Sequence, residues 1–419
     1  MLKKNCIFYF FFHHSNLFSI TILTKRLIKG GDISTFNKNR SLVWLTVLAL
    51  MLAACGGGTA DEPAEAPAPA AEEAAPATTA AAPAAPASVT RTADLPWGTF
   101  TLSETIGKKL ANGEELNYIL SIQGTAIAIF GDAMDSGWKR GMADADARYE
   151  GSIAGRVVGP PNTDIPAQVA EIDALLDAGE VDCLAFQAHE AGPYIDVINK
   201  AMDQGIPVFG VNSDSADSKR ISFHALDEFS AGKLAGKITG EWAIANGKDW
   251  KTAALMTGSV EGGWAQGRMT GFVEGLNAAL PGLEWANTST ENIESQGWDP
   301  ATSYAMVEAW VLGHPDVDII FHTDQGVTNV AKAISDNGLS GTMYTSGFNI
   351  DPATADYIRS GDIIVTMVQG FSNQGARGAQ ACSDFLFDGN YDVGHVIMDP
   401  VAVTGDNVDS VDWTDPKNL

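Results

Sequence analysis

From Gly124 onward one unit recurs along this chain: a short apolar run, then a longer segment with helical spacing. The apolar runs are 125–130, 154–158, 183–187, 207–211, 253–257, 317–323, 343–347 and 363–368. The helical segments are 136–149, 166–178, 193–204, 229–246, 266–280, 302–312, 326–337, 352–360 and 373–387. In 229–246, Leu234, Ile238, Trp242 and Ile244 recur at helix spacing. Gly179, Gly205, Gly338, Gly361 and Gly389 end helices. Strand–helix alternation on this scale predicts an α/β fold with parallel sheets covered on both faces. No period beyond this rhythm points to a solenoid.

In such sheets, ligands sit beyond the carboxyl ends of the strands. The residues just past each run are therefore the candidates. They are Asp132, Gln187, His189, Asn212, Trp264, Gln266, Asp324, Asn349 and Gln369, with Trp298 in "SQGWDPATS". Amides, acids and indoles supply hydrogen-bond donors and acceptors beside flat apolar plates. Neutral polyhydroxylated molecules need that mixture. Asn and Asp also favour turns, so any one of these residues has a purely structural explanation. Two tryptophans in polar loops are harder to explain by core packing.

Ahead of the repeating unit the chain changes character. Leu42 to Ala54 is an apolar run of about 13 residues, preceded by Lys38 and Arg40. That is too short to span a bilayer and has the layout of a signal peptide over 40–55. Residues 56–88 are almost all Ala, Pro, Glu, Thr and Gly, with little to bury, so 56–90 reads as a linker. It would reach roughly 30 Å as a coil and about 100 Å as polyproline II. Residues 1–39 fit this layout poorly and read as a doubtful extension, with translation starting near Arg40. Peptides from before residue 30 in the unprocessed protein would reject that start.

The remaining stretch of about 330 residues suits two lobes better than one core. A net charge of −26 argues against a nucleic-acid partner. Only Cys183 and Cys382 fall in the folded part. Both lie in apolar runs and read as small core residues rather than as a bridge. Enzymatic signatures are missing. "GSVEGG" (258–263) lacks the Lys and Ser/Thr of a phosphate loop, there is no G-x-S-x-G, and His189, His224, His314, His322 and His395 have no metal-ligand spacing. No cofactor or metal is expected.

Several stretches together resemble the periplasmic sugar-binding proteins that include the ribose- and galactose-binding proteins. They are "GWKRGMADADA", "AGPYIDVINKAMDQGIPVFGVNSD", "FSAGKLAGKITGEW", "MTGSVEGGWAQGRMTGFVEGL", "GWDPATSYAMVEAWVLGHPDVDIIF", "GFNIDP" and "VTMVQGFSNQGARGA", spread over about 122–403. Leu52-Ala53-Ala54-Cys55 resembles a bacterial lipobox, which makes Cys55 the lipidated residue. The resemblance implies two Rossmann-like lobes, 91–225 plus 370–396 and 226–369 plus 397–419. Three crossovers would join them near Ala225, Gly370 and Ile397. The lobes close on ligand by hinge bending, for which periplasmic binding proteins are the standing example.

Carried over residue by residue, the resemblance makes Trp298 the stacking aromatic and Gln369 the hinge amide. Asn349 and Asn212 stand where the family has Asp, Ser213 and Gln266 where ribose binders have Arg. The first loop lacks the family's Phe pair, a role left to Trp138 or Met134. Charged contacts have become neutral ones, which are roughly half as strong. The resemblance implies a monomeric, extracytoplasmic lipoprotein that binds a small sugar-like ligand and serves an ABC permease. A ligand sensor or a nucleoside binder of the same fold remains open, and an enzyme is the weakest reading. A repressor of this fold would carry a basic DNA-binding helix where this chain has its lipobox and linker.

Overall fold

The computed structural model describes residues 88–149, 152–288 and 292–419. The leader, Cys55 and nearly all of the linker lie outside these residues. The described chain opens with an antiparallel hairpin, β1 (Thr92–Leu95) and β2 (Gly98–Thr101), and helix α1 (Glu104–Asn112). The first lobe follows with β3 (Leu116–Ser121), α2 (Ala133–Tyr149), β4 (Ile153–Val158), α3 (Ile165–Asp177), β5 (Cys183–Phe186), α4 (Ile195–Asp203), β6 (Val208–Val211) and β7 (Ser222–Ala225). The second lobe holds α5 (Glu228–Ala245), β8 (Thr252–Met256), α6 (Gly263–Ala279), β9 (Glu284–Trp285), α7 (Pro300–Gly313) and β10 (Ile319–His322). It continues through α8 (Val327–Asp336), β11 (Tyr344–Phe348), α9 (Pro352–Ser360) and β12 (Ile363–Val368). Then α10 (Phe371–Ser383) and β13 (Gly394–Ile397) return to the first lobe, and β14 (Val401–Val403) joins the second.

The sheets run β13-β7-β6-β5-β3-β4 and β14-β12-β11-β10-β8-β9, the same order twice. All pairings are parallel except β12 with β14. The chain passes between sheets after Ala225, after Val368, and between Ile397 and Val401. This is the α/β architecture expected from the alternation of strand and helix. Strands β5, β6, β7, β10, β11 and β12 are buried along their whole length, as parallel strands covered on both faces must be.

Local chemistry sets the helix ends. Asp164, Asp227, Asp299 and Asp351 each accept a backbone N–H three residues on, which satisfies a donor the helix cannot. The five glycines read as helix ends all hold left-handed backbone. The face of α5 is a correction. Leu234 and Ile244 point outward, and the buried stripe is Ala231, Gly232, Ala235, Gly236, Thr239, Gly240 and Ala243. A Cβ on Gly236 would lie 2.3 Å from the Phe272 carbonyl oxygen, so only small residues let α5 and α6 lie this close. In the first lobe α2 meets α10 in the same way. A Cβ on Gly375 would lie 2.3 Å from the Met134 carbonyl oxygen.

Two further expectations are corrected. The first strand is 116–121, not 125–130. "LNYILS" fills the middle of the sheet, whereas Ala126, Ile127 and Ala128 are exposed and lead into a π-turn, Ala128–Asp132. Cys183 and Cys382 are joined by a disulfide across 199 positions. The cysteines are buried small residues, as expected, yet β5 and α10 pack face to face and bring the sulfurs together. The hairpin packs on this lobe. Arg91 donates to the Leu386 and Phe387 carbonyls at 3.0 and 2.5 Å, and Phe100 sits 5.7 Å from Phe385.

Candidate functional site

The carboxyl ends of the two sheets converge on a cavity of about 140 Å³. That is the scale of a cavity enclosing one six-membered ring. Asn212 follows β6 and Asn349 follows β11, equivalent places in the two sheets, with φ of 64° and 69°. They are the non-glycine residues at positive φ among those described. Asn tolerates this backbone better than other side chains do. Between them lies Gln369, at the end of β12. Its Nε2 donates to Asn349 Oδ1 at 2.7 Å. Its Oε1 accepts from Arg268 at 2.8 Å and from Asn212 Nδ2 at 3.5 Å.

The second lobe supplies a wall of rings. Trp298 and Trp264 lie 6.0 Å apart at 38°, with Trp298 39% exposed toward the cleft. Glycines make room for both. A Cβ on Gly258 would meet the Trp298 ring at 2.8 Å, and one on Gly262 would meet the Trp264 Nε1 at 2.5 Å. The glycine-rich "GSVEGG" loop therefore seats indoles. Beneath them Arg268 is buried and paired bidentately with Glu228 at 2.6 and 3.0 Å. It also donates to the Thr323 carbonyl at 2.8 Å, and its guanidinium lies 4.2 Å from the Phe348 ring centre and 5.0 Å from that of Trp264. Asp324 accepts from the Gly258 and Gly326 N–H groups at 2.8 and 3.0 Å. Arg268 is thus paired within the protein and Asp324 is held by backbone N–H groups, so neither needs a charged ligand.

The first lobe faces this wall with Gln123, Gln187, His189, Ser213, Ile127 and Phe130. His189 approaches Trp298 edge-on across the cleft, with ring centres 6.2 Å apart. Burial holds its pKa below the ordinary value, against the opposing pull of Glu190, so the imidazole is neutral at neutral pH. Phe130 meets Phe371 at 5.0 Å and 89° at the cleft edge.

Of the candidates read from sequence, Trp298, Trp264, Asn349, Gln369, Asn212, Ser213, Gln187, His189 and Asp324 come together here. Trp138, Met134, Asp132 and Gln266 lie elsewhere. Trp138 is fully buried in the first lobe beside Tyr118, and Met134 is buried too. Asp132 is exposed at the end of the π-turn. Gln266 is exposed and donates to the Val260 carbonyl at 3.0 Å. Helix geometry separates Gln266 from Arg268. Trp264 and Arg268 are four apart and share a face, and Gln266 does not. Spacing alone could have found Arg268. Gln123 and Phe130 were hidden by the misplaced first strand.

A family model described as a periplasmic binding protein domain matches residues 120–389. Among solved structures, an ABC transporter solute-binding protein from Burkholderia graminis C4D1M, in complex with D-arabinose, is 24% identical. It covers 70% of this chain and 97% of its own, with a TM-score of 0.61. GanP, a glucose-galactose binding protein from Geobacillus stearothermophilus, is 21% identical over 70% of this chain and 99% of its own, with a TM-score of 0.60. A solute-binding protein from Bacillus halodurans C-125 with bound myo-inositol is 18% identical over 70% and 96%, with a TM-score of 0.58. A search of curated proteins returned no match.

Proposed function

Because the chain belongs to the periplasmic binding protein domain family, we propose that it is the solute-binding lipoprotein of a sugar-type ABC importer. It takes a small neutral polar ligand, a monosaccharide or related polyol, between its lobes and presents the closed form to a permease. The observation that carries this reading is the cleft itself. A tryptophan wall on one lobe faces amides on the other, with Arg268 already paired to Glu228 and Asp324 held by backbone N–H groups. Sugars offer C–H faces to stack on indole and hydroxyls to pair with amides. The names of the similar structures point to the same class: D-arabinose, glucose and galactose, and myo-inositol.

The proposal extends to anchoring and location. Cys55 carries the lipid and 56–88 is the tether at the outer face of a bacterial membrane. The Cys183–Cys382 disulfide supports an oxidising, extracytoplasmic setting. Release of a Cys55→Ala variant from the membrane fraction is the expected result, and retention would reject the anchor.

Calorimetry against D-glucose, D-galactose, D-arabinose, D-allose, myo-inositol and adenosine tests the ligand class. Ligand at 100 times its Kd stabilises the fold by about 2.7 kcal/mol, so a thermal shift reads the same event. Binding of a sugar or polyol supports the proposal. Binding of adenosine alone would move the ligand class to nucleosides, which the paired indoles would also stack. Silence across the panel would reject a sugar cargo.

A further inference from the structure

Two buried amide oxygens that line the cleft have no hydrogen-bond partner, one from each lobe: Gln123 Oε1 and Gln325 Oε1. Their neighbours dictate which end of each amide is left unpaired. In the first lobe the constraint begins at the Gln187 backbone carbonyl, which can only accept. The Gln168 group 3.0 Å from it must therefore be the NH₂, which also donates to Ser121 Oγ at 3.1 Å. Gln168 Oε1 then faces Tyr194 and takes the phenol proton at 2.6 Å. With that proton committed, the Tyr194 oxygen accepts from Gln123 Nε2 at 2.6 Å. The Gln123 carbonyl is left without a partner, in a residue that lines the cleft. Gln123 is 3% exposed, and Gln168, Tyr194 and Ser121 are fully buried.

In the second lobe the fixed point is Asp351, the cap of α9. Its Oδ1 takes the Thr354 N–H at 2.7 Å and the Thr354 hydroxyl at 2.8 Å. Its Oδ2 takes Gln325 Nε2 at 2.9 Å. An ionised carboxylate only accepts, so the Gln325 nitrogen is held there and its oxygen is turned away from Asp351.

We infer that Gln123 and Gln325 are specificity-determining residues of this cleft, a pair of oriented acceptors that select a ligand bearing hydroxyl or N–H donors toward both lobes. The inference rests on the solute-binding reading and narrows it. An ether, a missing hydroxyl or a carboxylate at either position leaves a buried carbonyl unpaired and is rejected. Neither glutamine can turn to donate instead without breaking the buried chain behind it.

The test is calorimetric titration of the purified full chain and its Gln123→Met and Gln325→Met variants. The probes are D-glucose, D-galactose, D-arabinose, D-allose and myo-inositol, followed by the monodeoxy analogues of the tightest binder. The wild type is expected to bind two of those analogues at least ~10-fold more weakly than the parent, and each variant to bind the parent at least ~10-fold more weakly than wild type. Each variant should also lose discrimination against one of the two analogues, and the two variants should lose it against different ones. A merely structural defect would weaken parent and analogues alike, and preserved discrimination in both variants overturns the inference. So does a wild type indifferent to every monodeoxy change. A wild type that binds none of the five sugars instead sinks the sugar reading, and the ligand class named here falls with it.

Discussion

Asn212 and Asn349 occupy the same place in two sheets of the same strand order, and both hold positive φ. What surrounds them differs. Around Asn212 the first lobe presents amides, a neutral imidazole, isoleucines and the rings of Phe130 and Phe371, with a neutral hydrogen-bonded chain behind Gln123. Around Asn349 the second lobe presents two indoles over a paired Arg268–Glu228 and a capped Asp324. The scaffolds differ as well. The first lobe is held by a disulfide and an added hairpin, and the second, among the described residues, has no disulfide. One backbone plan thus carries two linings, with one unpaired amide oxygen on each lobe and the pair of indoles on the second.

The largest expected asymmetry is in stability. A Cys183→Ser, Cys382→Ser variant should lose about 2–5 kcal/mol, as removal of a native disulfide does. Hydrogen exchange should show the lost protection concentrated in β3, β5, β6 and α10. Equal loss in β8, β10 and β11 would break the contrast between the lobes.

Acid should act next, and on both lobes. Both lobes bury a neutral histidine. Burial, with Arg377 and Arg220 nearby, pushes His224 down to about 3. Burial also lowers His322, but Asp324 opposes it. The folded pKa lies below the unfolded one near 6.5, so the unfolded chain binds the proton first. Stability is therefore present above about pH 6.5 and declines as pH falls toward 3, by up to ~1.4 kcal/mol per pH unit for one histidine. Urea unfolding at pH 7 and pH 5 should show a shallower decline in His224→Gln and in His322→Gln than in the wild type. A wild-type slope in either variant would remove that histidine from the acid response.

For ligand affinity, Trp298→Ala should cost at least ~1 kcal/mol and Phe130→Ala less, because an indole face offers more stacking area. Calorimetry on both variants checks the order, and a larger loss at Phe130 would reverse the division proposed here. The smallest effects should be the most symmetrical. Asn212→Ala and Asn349→Ala should each cost about 1–2 kcal/mol for left-handed backbone, and the glycine variants should recover most of it. Thermal unfolding that separates the two positions would show that they are not equivalent.

Helix positions were legible because capping aspartates and 3.6-residue spacing act over neighbouring residues. Most of the site candidates were legible because the ends of parallel strands converge whatever their loops contain. The misses came from effects that span the chain or mimic one another. The run at 125–130 is apolar because it meets the cleft, which looks the same in sequence as a buried strand. Trp138 follows that loop closely and still turns into the core. The large residues of α5 mark it as a helix, but its buried stripe is of small residues, which hydropathy spacing does not single out. Gln123 gains its meaning from Tyr194 and Gln168, which only the fold brings beside it.

The disulfide has a topological consequence. Everything from α5 through β12 lies between Cys183 and Cys382, so nearly the whole second lobe is a closed covalent ring hung on the first. A single proteolytic cut anywhere in that ring releases no fragment. The two pieces remain one molecule, and the cleft keeps both of its walls on the same tether.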